Sequence, residues 1–218
     1  MAQIFHPSIN SISRLSIIGA VLALLGFSGA LYAVNLTYGH HVYLPVEQPI
    51  QFSHKHHVGD DGIDCRYCHT SVEKTNYAGM PATHTCMSCH SQIWSDSPEI
   101  APIRESYVSG QPIAWNRVHD LPDFVYFNHA LHVKKGVGCE TCHGRLDQQP
   151  LARKEHSMTM SWCLDCHRAP EKFLRPRDAV LKMGYKPTEP QEVIGKRLVK
   201  EYKIQHSRQL TDCYTCHH

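Results

Sequence analysis

Residues 127–143 read FNHALHVKKGVGCETCH: a phenylalanine, two histidines at 129 and 132, a glycine-bearing turn, then Cys139-Glu140-Thr141-Cys142-His143. Two thiols two residues apart can add across the two vinyl groups of one porphyrin. The histidine that follows then lies under the iron, so this tail is the attachment pattern of a c-type haem. His129 and His132 stand about one helical turn apart and offer two further imidazoles for the sixth positions of nearby irons.

The same tail occurs at Cys65-Arg66-Tyr67-Cys68-His69, Cys86-Met87-Ser88-Cys89-His90, Cys163-Leu164-Asp165-Cys166-His167 and Cys213-Tyr214-Thr215-Cys216-His217. All 10 cysteines of the chain are used. A disulfide framework does not require a histidine after every second cysteine. Zinc sites usually combine two Cys-x-x-Cys pairs, and five pairs leave one over. The reading is five covalently bound haem c groups, with His69, His90, His143, His167 and His217 as proximal iron ligands. The chain has 18 histidines, which leaves many for distal ligation. A net charge of +2 with 19% charged residues carries no electrostatic footprint for nucleic acid. The porphyrins are expected to supply much of the core.

Residues 15–34 read LSIIGAVLALLGFSGALYAV, an uncharged run long enough to cross a bilayer as a helix, with Arg14 on its N-terminal flank. The basic flank places residues 1–14 in the cytoplasm and the rest outside. A cleaved signal with its small-residue site at Ser28-Gly29-Ala30 is the competing reading; the length of the run favours a retained anchor. Export agrees with haem attachment, which takes place on the outer face of the bacterial membrane. Residues 35–50 form a juxtamembrane linker, where His40 and His41 read as exposed polar residues.

Residues 51–69, QFSHKHHVGDDGIDCRYCH, repeat the opening stretch. Phe52-Ser53-His54 answers Phe127-Asn128-His129, His57 answers His132, and Cys65 answers Cys139 at an offset of 74 residues. A second motif follows each, so the chain contains a repeated two-haem module, residues 51–95 and 126–170, with a fifth haem on residues 205–218. Residues 75–85 are a loop leading to the second motif. Residues 91–121, with Pro98, Pro102, Pro112, Trp94 and Trp115, read as extended chain wrapping the core, the aromatics against porphyrin edges. Thr188-Glu189-Pro190-Gln191 opens an amphipathic helix whose apolar face is Val193, Ile194, Leu198, Val199 and Tyr202. The fold class is therefore mainly α with extensive irregular coil. One transmembrane helix precedes a multihaem cytochrome c domain of residues 51–218.

A haem with two strong protein ligands has no open position for substrate and passes electrons only. Four distal histidines come from the repeat: His54, His57, His129 and His132. The fifth distal ligand is open among Met160, Met158, His206, His119, Met80 and His84. Met160 stands first, because methionine is the other common distal ligand and raises the midpoint potential; a methionine filling space beside a haem is the bland alternative. All five motifs keep their histidine, which argues against a catalytic haem of the nitrite- or hydroxylamine-reducing kind.

With these residues in view, the chain resembles the pentahaem cytochrome subunit of alternative complex III. The resemblance rests on FSHKHH before the first motif, MPATHTCMSCH, VHDLPDFVYFNHALHVKKGVGCETCHG, MTMSWCLDCHR and LTDCYTCHH. It implies an electron-transfer wire on the periplasmic face of the bacterial cytoplasmic membrane. Its implied partners are a polytopic quinol-oxidising subunit, an iron–sulfur subunit, a monohaem cytochrome and a soluble periplasmic electron acceptor. The Phe-x-His-x-x-His pattern also resembles that of small multihaem cytochromes, where the first histidine caps the haem of the next motif and the second reaches a neighbouring haem. Carried over, His54 serves the first haem and His129 the third, while His57 and His132 serve others in or near their modules. A self-contained, membrane-anchored multihaem quinol dehydrogenase is the alternative.

Overall fold

The computed structural model describes residues 5–217; the first four positions of the N-terminal segment, and His218, lie outside them. The chain forms two compact units, Met1–Val42 and Tyr43–His218.

The first unit is helix α1, Ser8–Val34, which runs into a π-helical turn at Asn35–Gly39. Its 27 residues span about 40 Å at 1.5 Å per residue, more than the hydrocarbon core of a bilayer. None of its side chains is buried, and Leu15, Leu22, Leu24, Leu25 and Phe27 are each more than 60% exposed. An apolar helix of this length with every face open is consistent with a membrane anchor. The helix starts earlier than the apolar run, taking in Asn10 and Arg14.

The second unit is helical and irregular. Among the described residues the extended pairings are isolated bridges: Pro45 with Arg153, Val125 with His217 and Val137 with Leu174. Every Cys-x-x-Cys-His motif lies in or on a short helix: α2 (Cys65–Cys68), α3 (Thr83–His90), α6 (Cys139–His143), α7 (Met160–Arg168) and α10 (Cys213–Cys216). One helical turn brings both cysteines and the histidine toward one plane. Asp64 and Asp212 cap α2 and α10 by accepting from the amides of Arg66 and Tyr214. The remaining helices are α4 (Ala101–Ser109), α5 (His129–Lys134), α8 (Gln191–Glu201) and α9 (Ser207–Leu210).

Four expectations need correction. The linker of residues 91–121 is not extended throughout, since it contains α4. Ser97 caps a 3-10 turn at Pro98–Ile100, Pro102 sits in the first turn of α4, and Gly110 ends that helix at φ 71°. These are proline-in, glycine-out signals within the linker. The two tryptophans also part company: Trp115 packs on the Ile50, Ile100 and Ile103 cluster, whereas Trp94 is 60% exposed. In α8 the buried face is Ile194, Gly195 and Leu198 with Tyr202 just beyond, and Val193 is 53% exposed. Gly195 lies on that face because its Cα rests against the Glu171 carbonyl, where a side chain has no room. The α8 start is capped by the backbone at Pro190 rather than by Thr188.

The apolar core of this unit is small. Leu174, Ile194, Leu198 and Tyr202 make one cluster, and Ile50, Ile100 and Ile103 the other. Next to Leu174 of the first cluster, and reaching into the third motif, lies a largely buried ion pair: Arg175 Nη2 donates to Glu140 Oε1 at 2.8 Å, with side chains 8% and 14% exposed. The Arg175 guanidinium lies against Gly138, where a Cβ would collide with it. Removing one partner strands a buried charge, which costs about 3–5 kcal/mol. Arg175→Ala is therefore expected to lower the stability of the haem-loaded protein by about that amount in denaturant titration. The pair Arg175→Met with Glu140→Leu should recover part of the loss.

Candidate haem-binding framework

The two histidine hooks are near-copies. Phe52 meets His54 edge-on at 4.9 Å and 89°, and stacks on His57 at 4.4 Å and 27°. Phe127 meets His129 at 4.7 Å and 90°, and stacks on His132 at 4.6 Å and 25°. The aromatic ring is a template that holds one imidazole edge-on and stacks the other, so that the two are steeply inclined to each other. His54 and His57 sit at the start of a π-helical turn, Lys55–Asp60; His129 and His132 are in α5, whose N-cap Asn128 accepts from the Leu131 amide.

Each hook faces the motif histidines at a defined spacing. Ring centroids are 6.2 Å apart for His57 and His90, 6.4 Å for His129 and His143, and 6.3 Å for His132 and His167. A metal–nitrogen bond is about 2 Å, so two imidazoles on opposite sides of one iron place their centroids roughly 6.3 Å apart. All three pairs have the spacing that one iron between them requires. His54 is half-buried, and burial, then His69 and His57 beside it, hold it down to about 4.

Hydrogen bonding selects the tautomer. A carbonyl oxygen only accepts, so an Nδ1 within reach of one carries the proton and leaves the Nε2 lone pair for a metal. Among the motif histidines, Nδ1 of His69 donates to Gly79 O at 2.7 Å, that of His90 to Ile93 O at 3.1 Å and that of His167 to Leu210 O at 2.9 Å. His217 Nδ1 donates to Phe124 O at 3.3 Å. On the hooks, His57 donates to Ser53 O at 2.9 Å, His129 to Asn76 O at 2.9 Å and His132 to Asn128 O at 2.8 Å.

Burial pushes His143 well below the ordinary histidine range, with His119 and His129 beside it, so its imidazole stays neutral. Burial also lifts the thiols: Cys142 to about 12, with Cys166 and Cys163 as neighbours, and Cys139 to about 11, with Cys65 next. His54 Nδ1 and His119 Nε2 are buried polar atoms without a protein partner. Neutral imidazoles in facing pairs and thiols in apolar surroundings fit a covalently held haem.

The fifth motif differs. His217 has its Nδ1 carbonyl, and Cys163 is pushed up by burial and then by the neighbouring Cys216, so the fifth motif lies beside the fourth. Met160 opens α7 three residues before Cys163 and is 65% exposed. Met158 holds a left-handed backbone at φ 52°. His206 caps α9, its Nδ1 accepting from the Arg208 amide, and Met80 is 50% exposed. His119 stands elsewhere: its ring meets His143 edge-on at 4.3 Å, and burial lowers it to about 4. His119 therefore belongs to the surroundings of the third motif. The Nδ1 acceptors, above all Leu210 and Phe124, carry no sequence signal, because any residue has a carbonyl.

Residues 125–218 match the family described as cytochrome c7 and related cytochrome c. The chain is also 43% identical, over 103 residues, to the menaquinone reductase multiheme cytochrome c subunit of Nitratidesulfovibrio vulgaris. That match covers 47% of this chain and 48% of the relative, so it spans about half the length of each. Motifs, helical fold and matches together support a mainly helical chain with a cytochrome c7-like multihaem domain.

Proposed function

We propose that the chain is a membrane-anchored electron relay carrying five haem c groups, with α1 as its anchor and residues 51–218 as its periplasmic haem domain. Haem iron supplies one-electron exchange between ferric and ferrous states. The observation that carries the reading is the set of facing histidine pairs, His57 with His90, His129 with His143 and His132 with His167, at 6.2–6.4 Å. Iron held on both sides by imidazole offers no site for substrate and passes electrons alone. We assign His54 to His69 as the fourth pair and the ten motif cysteines to porphyrin attachment. Met160 is assigned to the fifth iron.

The resemblance to alternative complex III sets the direction and the company. A quinol is oxidised to quinone in a polytopic partner, releasing two protons and two electrons. The electrons cross this chain singly towards a periplasmic acceptor. The relative named as a menaquinone reductase subunit also supports a partner that handles quinone. Mild solubilisation, haem staining of native gels and mass identification of the co-migrating chains test this reading. A complex of several subunits, including a polytopic one and an iron–sulfur one, is the expected result. A small species that oxidises quinol unaided contradicts it and makes this chain the dehydrogenase.

The assignment of Met160 has its own test. Met160→His should lower the potential of one haem on the order of 0.1 V, a modest part of the roughly 0.8 V that axial ligands command. Redox titration followed by absorbance reads the shift; five unmoved midpoints would remove Met160 from the ligand set.

A further inference from the structure

The two modules pack on each other through equivalent hydrogen bonds. Lys55 N donates to Gln149 O at 3.0 Å, and Ala130 N, at the corresponding place in the second module, donates to Thr75 O at 3.1 Å. Gln149 and Thr75 each follow their motif histidine, His143 and His69, by six residues. Each hook is thus held by the segment just past the first motif of the other module. The contact is reinforced on both sides. His129 N donates to Asn76 O at 3.1 Å, and Gly59 rests on the Asp147 carbonyl so closely that a Cβ has no room. Reciprocal use of one patch by two copies is the signature of a two-fold arrangement, here within one chain. Its centre lies between the first and third motifs.

Outward from that centre the links are local. Within the first module, Tyr67 of the first motif bonds Ser88 of the second through hydroxyls at 2.8 Å, and the hook's second histidine, His57, faces His90. Within the second module, His132 faces His167 of the fourth motif. The fourth motif then meets the segment that leads to the fifth, where His167 Nδ1 donates to Leu210 O at 2.9 Å.

We infer that the five attachment motifs run through space in the order second, first, third, fourth, fifth, so that the row does not follow the chain and ends at the second and fifth motifs. Exposure agrees. Cys89 and Cys213 are the exposed cysteines, one in each terminal motif, while the other eight are partly covered. The inner motifs are screened by the module contact, and the ends are where an outside donor or acceptor comes within reach.

The order rests on five occupied motifs, and one experiment separates the two claims. The haem-loaded full chain, purified from membranes with whatever subunits accompany it, is imaged or crystallised and its iron positions are assigned to motifs. Five irons in the row second, first, third, fourth, fifth is the expected result, with the first and third as neighbours across the two-fold centre. A first-motif iron at one end, in a row that follows chain order, overturns the inference while leaving five haems in place. Fewer than five irons overturns the five-haem reading itself, and the order with it.

Discussion

Expressed without haem attachment, residues 43–217 are expected to lose their fold. The buried apolar side chains of this unit form two small clusters, Leu174, Ile194, Leu198 and Tyr202 on one side and Ile50, Ile100 and Ile103 on the other. Neither includes the imidazoles at the centre, where burial first, then His119 and His129 beside it, holds His143 far below its usual range; of the motif thiols, Cys86 packs against the second cluster. A domain of this length normally buries about two-thirds of its chain surface against a continuous core. Here porphyrin takes the place of side chains between the helices. Covalent attachment also ties each haem to two cysteines in the unfolded chain, which restricts that state as a disulfide does. Haem-free protein should show little helical circular dichroism beyond α1 and be cut readily by protease throughout the second unit. A haem-free form with full helix content and a cooperative melt would show that the two clusters suffice.

The second large effect is expected at a hook. His132 Nδ1 is held by Asn128 O at 2.8 Å, its ring stacks on Phe127, and it faces His167 at 6.3 Å. His132→Gly removes the imidazole and leaves Phe127 and the fourth-motif ligand in place. The fourth iron should pass from low to high spin and take up cyanide or added imidazole, where the parent protein binds neither. Added imidazole should return the low-spin spectrum. The neighbouring pair, His129 with His143, should keep its spectrum, because His129 is fixed separately by Asn76 O. Failure of any haem to change spin on this substitution removes His132 from the ligands. A change at the second motif instead would mean that the hooks cross between modules.

The mainly helical, multihaem plan was legible because haem attachment needs a fixed covalent pattern that the chain must display. The repeat was legible for the same reason, as Phe52, His54 and His57 recur at Phe127, His129 and His132. What could not be read is how the copies meet. The bonds that join them, Lys55 to Gln149 and His129 to Asn76, use backbone groups, and a carbonyl leaves no mark in the sequence. Partners of His57 and His132 were open for that reason. α4 was missed although Ser97, Pro98, Pro102 and Gly110 mark its limits, since prolines spread over the linker read first as extended chain. His119 was one of six open candidates for the fifth distal ligand, whereas the fold brings it to His143.

The relay account is tested most directly by the spin states of the haem-loaded protein as it comes from the membrane. Electron paramagnetic resonance of the oxidised form, scaled to the haem content, should show only low-spin ferric iron. No signal should change on adding nitrite, hydroxylamine or cyanide. A high-spin signal amounting to one iron per chain that shifts with any of these would mean an open coordination site. The chain would then be a catalyst rather than a wire.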